Sequence, residues 1–349
     1  MAYTTIDKST DYFNTKLYTG TGASSQAQTG VGFKPDFVWI KSRSSSEGHV
    51  FTDIVRGVTK YLISNTTSAQ VTNTDTLKSF DSDGYTIGPA GVTGGNGVTF
   101  ASMNWKANGQ GSSNTAGSIN TTYTSANTTA GFSIIQYTGN GSSGATIGHG
   151  LGVVPKVVIV KLTSGAGYDW GVYHASLGNT KNMRLNLTDT VATSSAFWND
   201  TTPSSSLVTL GNNATVNGSG STYIAYCFSE IQGFSKIGNY TGNGNNGSGS
   251  APMIYTGFKP GFIILKRTDS ADNWFIFDNK RKGYNAENDY LYANLTNGEG
   301  STDILDIVSS GFKLRTTDSG MNAGGGSYIY IAFADNPFVT STGVPTPAR

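Results

Sequence analysis

One pattern occurs three times along the chain, and any fold must accommodate it. Tyr-Thr-Gly-x-Gly stands at 18–22, 137–141 and 240–244. After each copy a proline (Pro35, Pro155, Pro260) leads an apolar run that ends in a lysine: Phe37-Val38-Trp39-Ile40-Lys41, Val157-Val158-Ile159-Val160-Lys161, and Phe262-Ile263-Ile264-Leu265-Lys266. The period, roughly 110 positions, exceeds a solenoid coil or propeller blade and matches a whole small domain. The chain therefore reads as three tandem copies of one unit.

Within each copy the runs are of strand length and rich in β-branched and aromatic residues. The proline-led run is apolar throughout, as in a central strand covered on both faces. A second strand is expected at 49–53, 170–174 and 274–278, and a third at 61–67, 183–188 and 290–296. Each copy closes on a long strand, at 98–105, 222–228 and 328–333. The second copy departs at 207–211, a loose counterpart of 82–87 and 309–314. Helical periodicity with caps is nearly absent, and short turns are expected at 53–60 and 278–285. The expected fold is all-β: three tandem β-sandwich, jelly-roll or lectin-like domains with short loops and little helix. The expected boundaries are an anchoring arm at 1–15, sandwiches at 16–108, 133–230 and 231–338, a Gly/Ser/Asn/Thr-rich linker at 109–132, and an extended tail at 339–349.

Charged residues make up only 13% of the chain and the net charge is +1. A nucleic-acid partner, which needs a basic footprint, is not expected. No apolar stretch is long enough to cross a bilayer, and residues 1–11 lack the apolar core of a signal peptide. The single cysteine, Cys227, permits no disulfide framework within one chain. Synthesis in a cytoplasm is the expectation.

Titratable groups do not recur as a set. His49, His149 and His174 occupy different places in the repeat, and Asp53 and Asp278 correspond to each other but to His174 in the second copy. No catalytic residue, cofactor or metal is expected. The Asp-Ser-Asp-Gly at 81–84 reads as a turn, because the further ligands of a calcium loop do not follow. Asn-x-Thr recurs at 65–67, 186–188 and 294–296, where a strand-ending Asn is the structural reading. Lys41, Lys161 and Lys266 read as solvated strand ends, with a charged contact to a neighbouring subunit as the sharper alternative. Trp198, Tyr284 and Tyr290 lie in or beside variable loops and are candidate stacking surfaces for host glycan.

Asp11-Tyr12-Phe13-Asn14-Thr15-Lys16-Leu17-Tyr18-Thr19-Gly20, the Gly32-Phe33-Lys34-Pro35-Asp36-Phe37 run, Ser79-Phe80-Asp81-Ser82-Asp83-Gly84-Tyr85 and Ile331-Ala332-Phe333-Ala334-Asp335-Asn336-Pro337-Phe338 resemble a repeat domain of bacteriophage virion proteins. It is similar to the module of marine phages and cyanophages described as tail-fibre-like or structural. The second copy lacks the Phe-Lys-Pro-Asp form and the Asp-Ser-Asp-Gly turn. The resemblance implies a virion location and a non-enzymatic tail fibre or appendage role in host attachment. Its implied partners are other virion proteins of tail or capsid, further copies of the chain (a trimer among the options) and host-surface glycan. A head decoration (cement) protein, a glycan-degrading tail spike and a free lectin are the alternatives.

Overall fold

A strand that is apolar at every position must be covered on both faces. The computed structural model, which describes residues 4–165, 167–246, 250–282, 288–302 and 304–336, shows what covers them. Each copy forms one large antiparallel sheet with the same strand order: opening, closing, proline-led, second, third and a short edge strand. The opening strands are Phe13–Thr19, Phe132–Thr138 and Ser235–Thr241, and the closing strands are Thr99–Trp105, Thr222–Phe228 and Ser327–Asn336. The proline-led strands are Phe37–Ser42, Val157–Leu162 and Lys259–Arg267; the second are Val50–Asp53, Gly171–His174 and Trp274–Asp278; the third are Lys60–Ile63, Lys181–Arg184 and Asn288–Tyr292.

A small sheet packs on one face of each large one. It pairs Gln26–Thr29 with Gly84–Ile87, Ala145–Gly148 with Leu207–Leu210, and Met253–Tyr255 with Gly311–Leu314. The loose counterpart in the second copy is thus the topological equal of the other two. What differs there is the third small-sheet strand, Leu77–Asp81 or Leu305–Val308, which a helical turn at Ser195–Trp198 replaces. The all-β sandwich architecture is as expected. One further helical turn per copy, at Gly91–Gly94, Ala214–Asn217 and Ser319–Asn322, precedes the closing strand.

Those turns explain the repeated motif. The tyrosine hydroxyl donates to a carbonyl of the turn: Tyr18 to Thr93 at 2.7 Å, Tyr137 to Val216 at 2.6 Å and Tyr240 to Met321 at 2.7 Å. A Cβ on the first glycine (Gly20, Gly139, Gly242) would collide with the carbonyl oxygen of Gly95, Gly218 or Ala323. The second glycine has φ of 68°, 73° and 73° at Gly22, Gly141 and Gly244, the left-handed region that favours glycine. The motif therefore records a tie between the opening strand and the turn that starts the closing strand.

Alternate side chains of each proline-led strand enter different cores. Val38 and Ile40, Val158 and Val160, and Ile263 and Leu265 fill the interior of their own sandwich. Phe37 and Trp39, Val157 and Ile159, and Phe262 and Ile264 point the other way, into one core shared by all three copies. There rings from different copies meet: Phe37 stacks on Tyr226 at 4.6 Å, Phe13 on Phe333 at 5.0 Å, and Trp105 meets Phe228 edge-on at 6.1 Å. A void of about 20 Å3 remains between them, lined by apolar rings and isoleucines with only the Tyr226 ring bearing a hydroxyl. The expected domains are thus joined through their cores.

Two expected peripheral segments belong to this body. Within the glycine-rich stretch, Tyr123–Asn127 adds a seventh strand to the second copy's sheet, and Ile119 is buried in that copy's core. Within the expected arm, Ile6 is buried in the shared core and the opening strand starts at Phe13. The tail at 339–349 lies outside the described residues.

Candidate functional site

The repeated polar residues converge at the seams between copies. Lys41, Lys161 and Lys266 are fully buried, which corrects the reading as solvated strand ends. Each ammonium donates to a carbonyl beside it and to one in another copy. Lys41 reaches Ser42 at 2.8 Å and Thr296 at 3.0 Å; Lys161 reaches Tyr168 at 2.6 Å and Thr67 at 3.0 Å; Lys266 reaches Arg267 at 2.6 Å and Thr188 at 3.2 Å. The acceptors in the other copies are the threonines of Asn-x-Thr. The charged contact expected between subunits is made within one chain. Burial pushes all three lysines down to about 8.

The asparagine of the same motif orders the second strand of its own copy. Asn65 Oδ1 accepts from the His49 amide, Asn186 Oδ1 from the Trp170 amide and Asn294 Oδ1 from the Trp274 amide. The rings of those three residues then cross the seam. His49 Nε2 lies 2.7 Å from the Tyr292 carbonyl, Trp170 Nε1 donates to Ile63 at 3.2 Å and Trp274 Nε1 donates to Arg184 at 3.0 Å. Trp39 Nε1 donates to His49 Nδ1 at 2.8 Å, so the His49 proton sits on Nε2 and its ring donates to Tyr292. The direction is the same at every seam: copy one to three, three to two, two to one. The hydrogen bonds close a ring.

Side chains at the end of the second strand distinguish the seams. Asp53 forms a buried ion pair with Arg56 at 2.6 Å and accepts from the Tyr226 hydroxyl of the second copy at 2.8 Å. Asp278 pairs with Arg281 at 2.6 Å, and Arg281 also reaches Glu299, which binds Arg43 of the first copy through two hydrogen bonds. In the second copy His174 and Leu177 replace the Asp–Arg pair. His174 Nδ1 accepts from the Ser176 amide, leaving Nε2 to donate to Tyr330 at 3.3 Å, and burial pushes the ring down to about 4.

The remaining described candidates are scaffold. Trp198 is buried against Tyr173 and Phe197, so it offers no face to a sugar. Tyr290 is half-buried and packs on Phe275 and Tyr292; Tyr284 lies outside the described residues. His149 Nδ1 accepts the Leu151 amide and Nε2 meets the Ser204 carbonyl. Burial pushes the Cys227 thiol up to about 12, away from reactive thiolate. Asp83 accepts the Gly30 and Gly32 amides, which hold its carboxyl below the usual range. Among the described residues no three His, Cys, Asp or Glu side chains converge as metal ligands would.

The shared core and the ring of seams bind the copies into a single unit, and one family model spans that unit. Residues 8–337 match the domain of unknown function DUF7483. The chain belongs to that family. No curated protein and no solved structure matches it.

Sequence reasoning missed the seams although their parts were visible. Lysine and Asn-x-Thr recur together in every copy, and residues that recur without titratable partners serve the backbone.

Proposed function

We propose that this chain is a bacteriophage virion structural protein, a tail fibre or appendage component that assembles on the particle and attaches to the host surface without catalysis. The observation that supports this reading is the division of labour in each copy. Recurrent polar groups are consumed in the seams, while the small sheets and loops face outward and differ from copy to copy. Histidines and the cysteine are buried and held neutral, as scaffold groups are. The motifs that resemble virion repeat modules are those that build the sandwich. Three sheets around one core also place a threefold arrangement inside a single chain, where a trimer of chains was the sequence-based option.

Immunogold electron microscopy and mass spectrometry of purified particles test the proposal. The chain is expected at the tail or its appendages. Gold confined to the head would favour the decoration role, and absence from particles would overturn the virion reading. Depolymerisation of host polysaccharide by the purified chain would overturn the non-catalytic one.

A further inference from the structure

The outward face of the third copy's small sheet has a chemistry that the other two copies lack. In the strand Met253–Tyr255, Ile254 turns into the core while Met253 and Tyr255 turn outward, 44% and 66% exposed. Tyr255 is the most exposed large hydrophobic residue among those described. Register places Met253 opposite Lys313 and Tyr255 opposite Gly311, so no side chain stands across the strand from the ring. Lys313 lies in turn opposite Asp306, which is paired with Arg315 at 3.0 Å. Lys313 is half-buried and, by strand alternation, shares the outward face of Met253 and Tyr255. The same register puts Ala27, Thr29 and Thr86 at these three positions in the first copy, and Thr146, Gly148 and Thr209 in the second. All three outward positions differ together: small and uncharged in the first two copies, thioether, aromatic and cation in the third.

We infer that this face binds an acidic saccharide. The Tyr255 ring stacks on the apolar face of a pyranose, Met253 extends that contact along the strand, and Lys313 receives the carboxylate. Adjacent strands lie about 4.8 Å apart and alternate residues along a strand about 7 Å, spacings that suit one or two sugar rings. Charge decides among occupants: a second copy docked symmetrically through this face would bring Lys313 against Lys313, whereas a uronate is complementary. The inference rests on the attachment reading and names the ligand class for it.

Titration of the intact chain with hexagalacturonate, followed by NMR or calorimetry with cellohexaose as the neutral control, tests it. Wild type is expected to bind hexagalacturonate in preference to cellohexaose. Tyr255→Ala should weaken binding about tenfold and Tyr255→Phe should retain it. Lys313→Met should erase both the preference for the acidic oligomer and the salt dependence. Binding unchanged in Tyr255→Ala and Lys313→Met, no binding by wild type, or concentration-dependent self-association removed by Tyr255→Ala would each overturn the inference. Particles carrying the Tyr255→Ala chain separate the two claims, because the virion role predicts that the variant still assembles.

Discussion

The two faces of each proline-led strand compare differently from copy to copy. Along the proline-led strand, the side chains turned to the copy's own sandwich match in kind: Val38, Val158 and Ile263, then Ile40, Val160 and Leu265. On the face turned to the shared core they do not. Trp39 corresponds to Ile159 and Ile264, Phe51 to Val172 and Ile276, and Trp105 to Phe228 and Phe333. The first copy is the larger at these positions and the smaller at others: Ala101 stands where Ile224 and Ile329 do, and His49 where Trp170 and Trp274 do. A core common to three copies constrains their summed volume, because interiors pack to a fixed density.

The comparison is broken most severely at Trp105. Trp105→Ala removes one of the four tryptophan rings of the shared core, the one that Phe13, Phe37, Phe228 and Phe333 all meet. A loss of about 3–5 kcal/mol is expected from urea denaturation. All three copies should unfold together in one transition, since the cavity belongs to no single sandwich. Separate transitions would show that the copies are independent and that the shared core is weak.

Next is the seam between the first and second copies. Asp53→Leu leaves Arg56 buried beside Phe51 and Tyr226 without its carboxylate, and breaking a buried pair in this way costs about 3–5 kcal/mol. His174→Leu, at the corresponding place in the second copy, removes two long hydrogen bonds, to the Tyr330 carbonyl and from the Ser176 amide, and fills the site with apolar volume. Its cost is expected to stay below about 1.5 kcal/mol. Equal losses from the two variants would mean that the Asp–Arg pair is not what distinguishes these seams.

Much of this was legible in the chain. Continuous apolar runs of strand length demanded cover on both faces, and the two cores supply it. The tyrosine–glycine motif marked the start of each copy because its geometry tolerates little else. What covers the second face was not legible, since apolar side chains do not name their partners and Trp39, Ile159 and Ile264 share no pattern. Lys41, Lys161 and Lys266 were misplaced for a related reason: the backbone carbonyls that bind them leave no side-chain signature. Trp198 was misplaced because a variable segment need not be an exposed one.

Acid should weaken the seams through their histidines. Burial holds His174 at about 4 when folded, while the unfolded ring titrates near its ordinary 6.5. Between those values the unfolded chain binds more protons, so stability is present above the upper value and is lost as pH falls towards the lower one. The loss from this residue is on the order of 3 kcal/mol. Urea midpoints at pH 7, 5 and 4 should decline, and His174→Leu should make the decline shallower. The three seam lysines have the same sign at higher pH: each is held at about 8 against an ordinary 10.5, so stability should rise across that interval.

The smallest expected effect lies on the outer sheets. Met253→Thr and Tyr255→Thr place in the third copy the residue types that the other copies carry at Thr146 and Thr29. Both side chains point to solvent, both positions lie in a strand, and threonine is a good strand former, so nothing is uncovered and no hydrogen bond is lost. Each change should move stability by no more than about 0.5 kcal/mol. If Tyr255→Thr instead cost as much as a core substitution, the ring would be serving the fold. A near-zero change would leave an exposed aromatic that the fold does not require, on the one copy whose outer face has diverged from the other two.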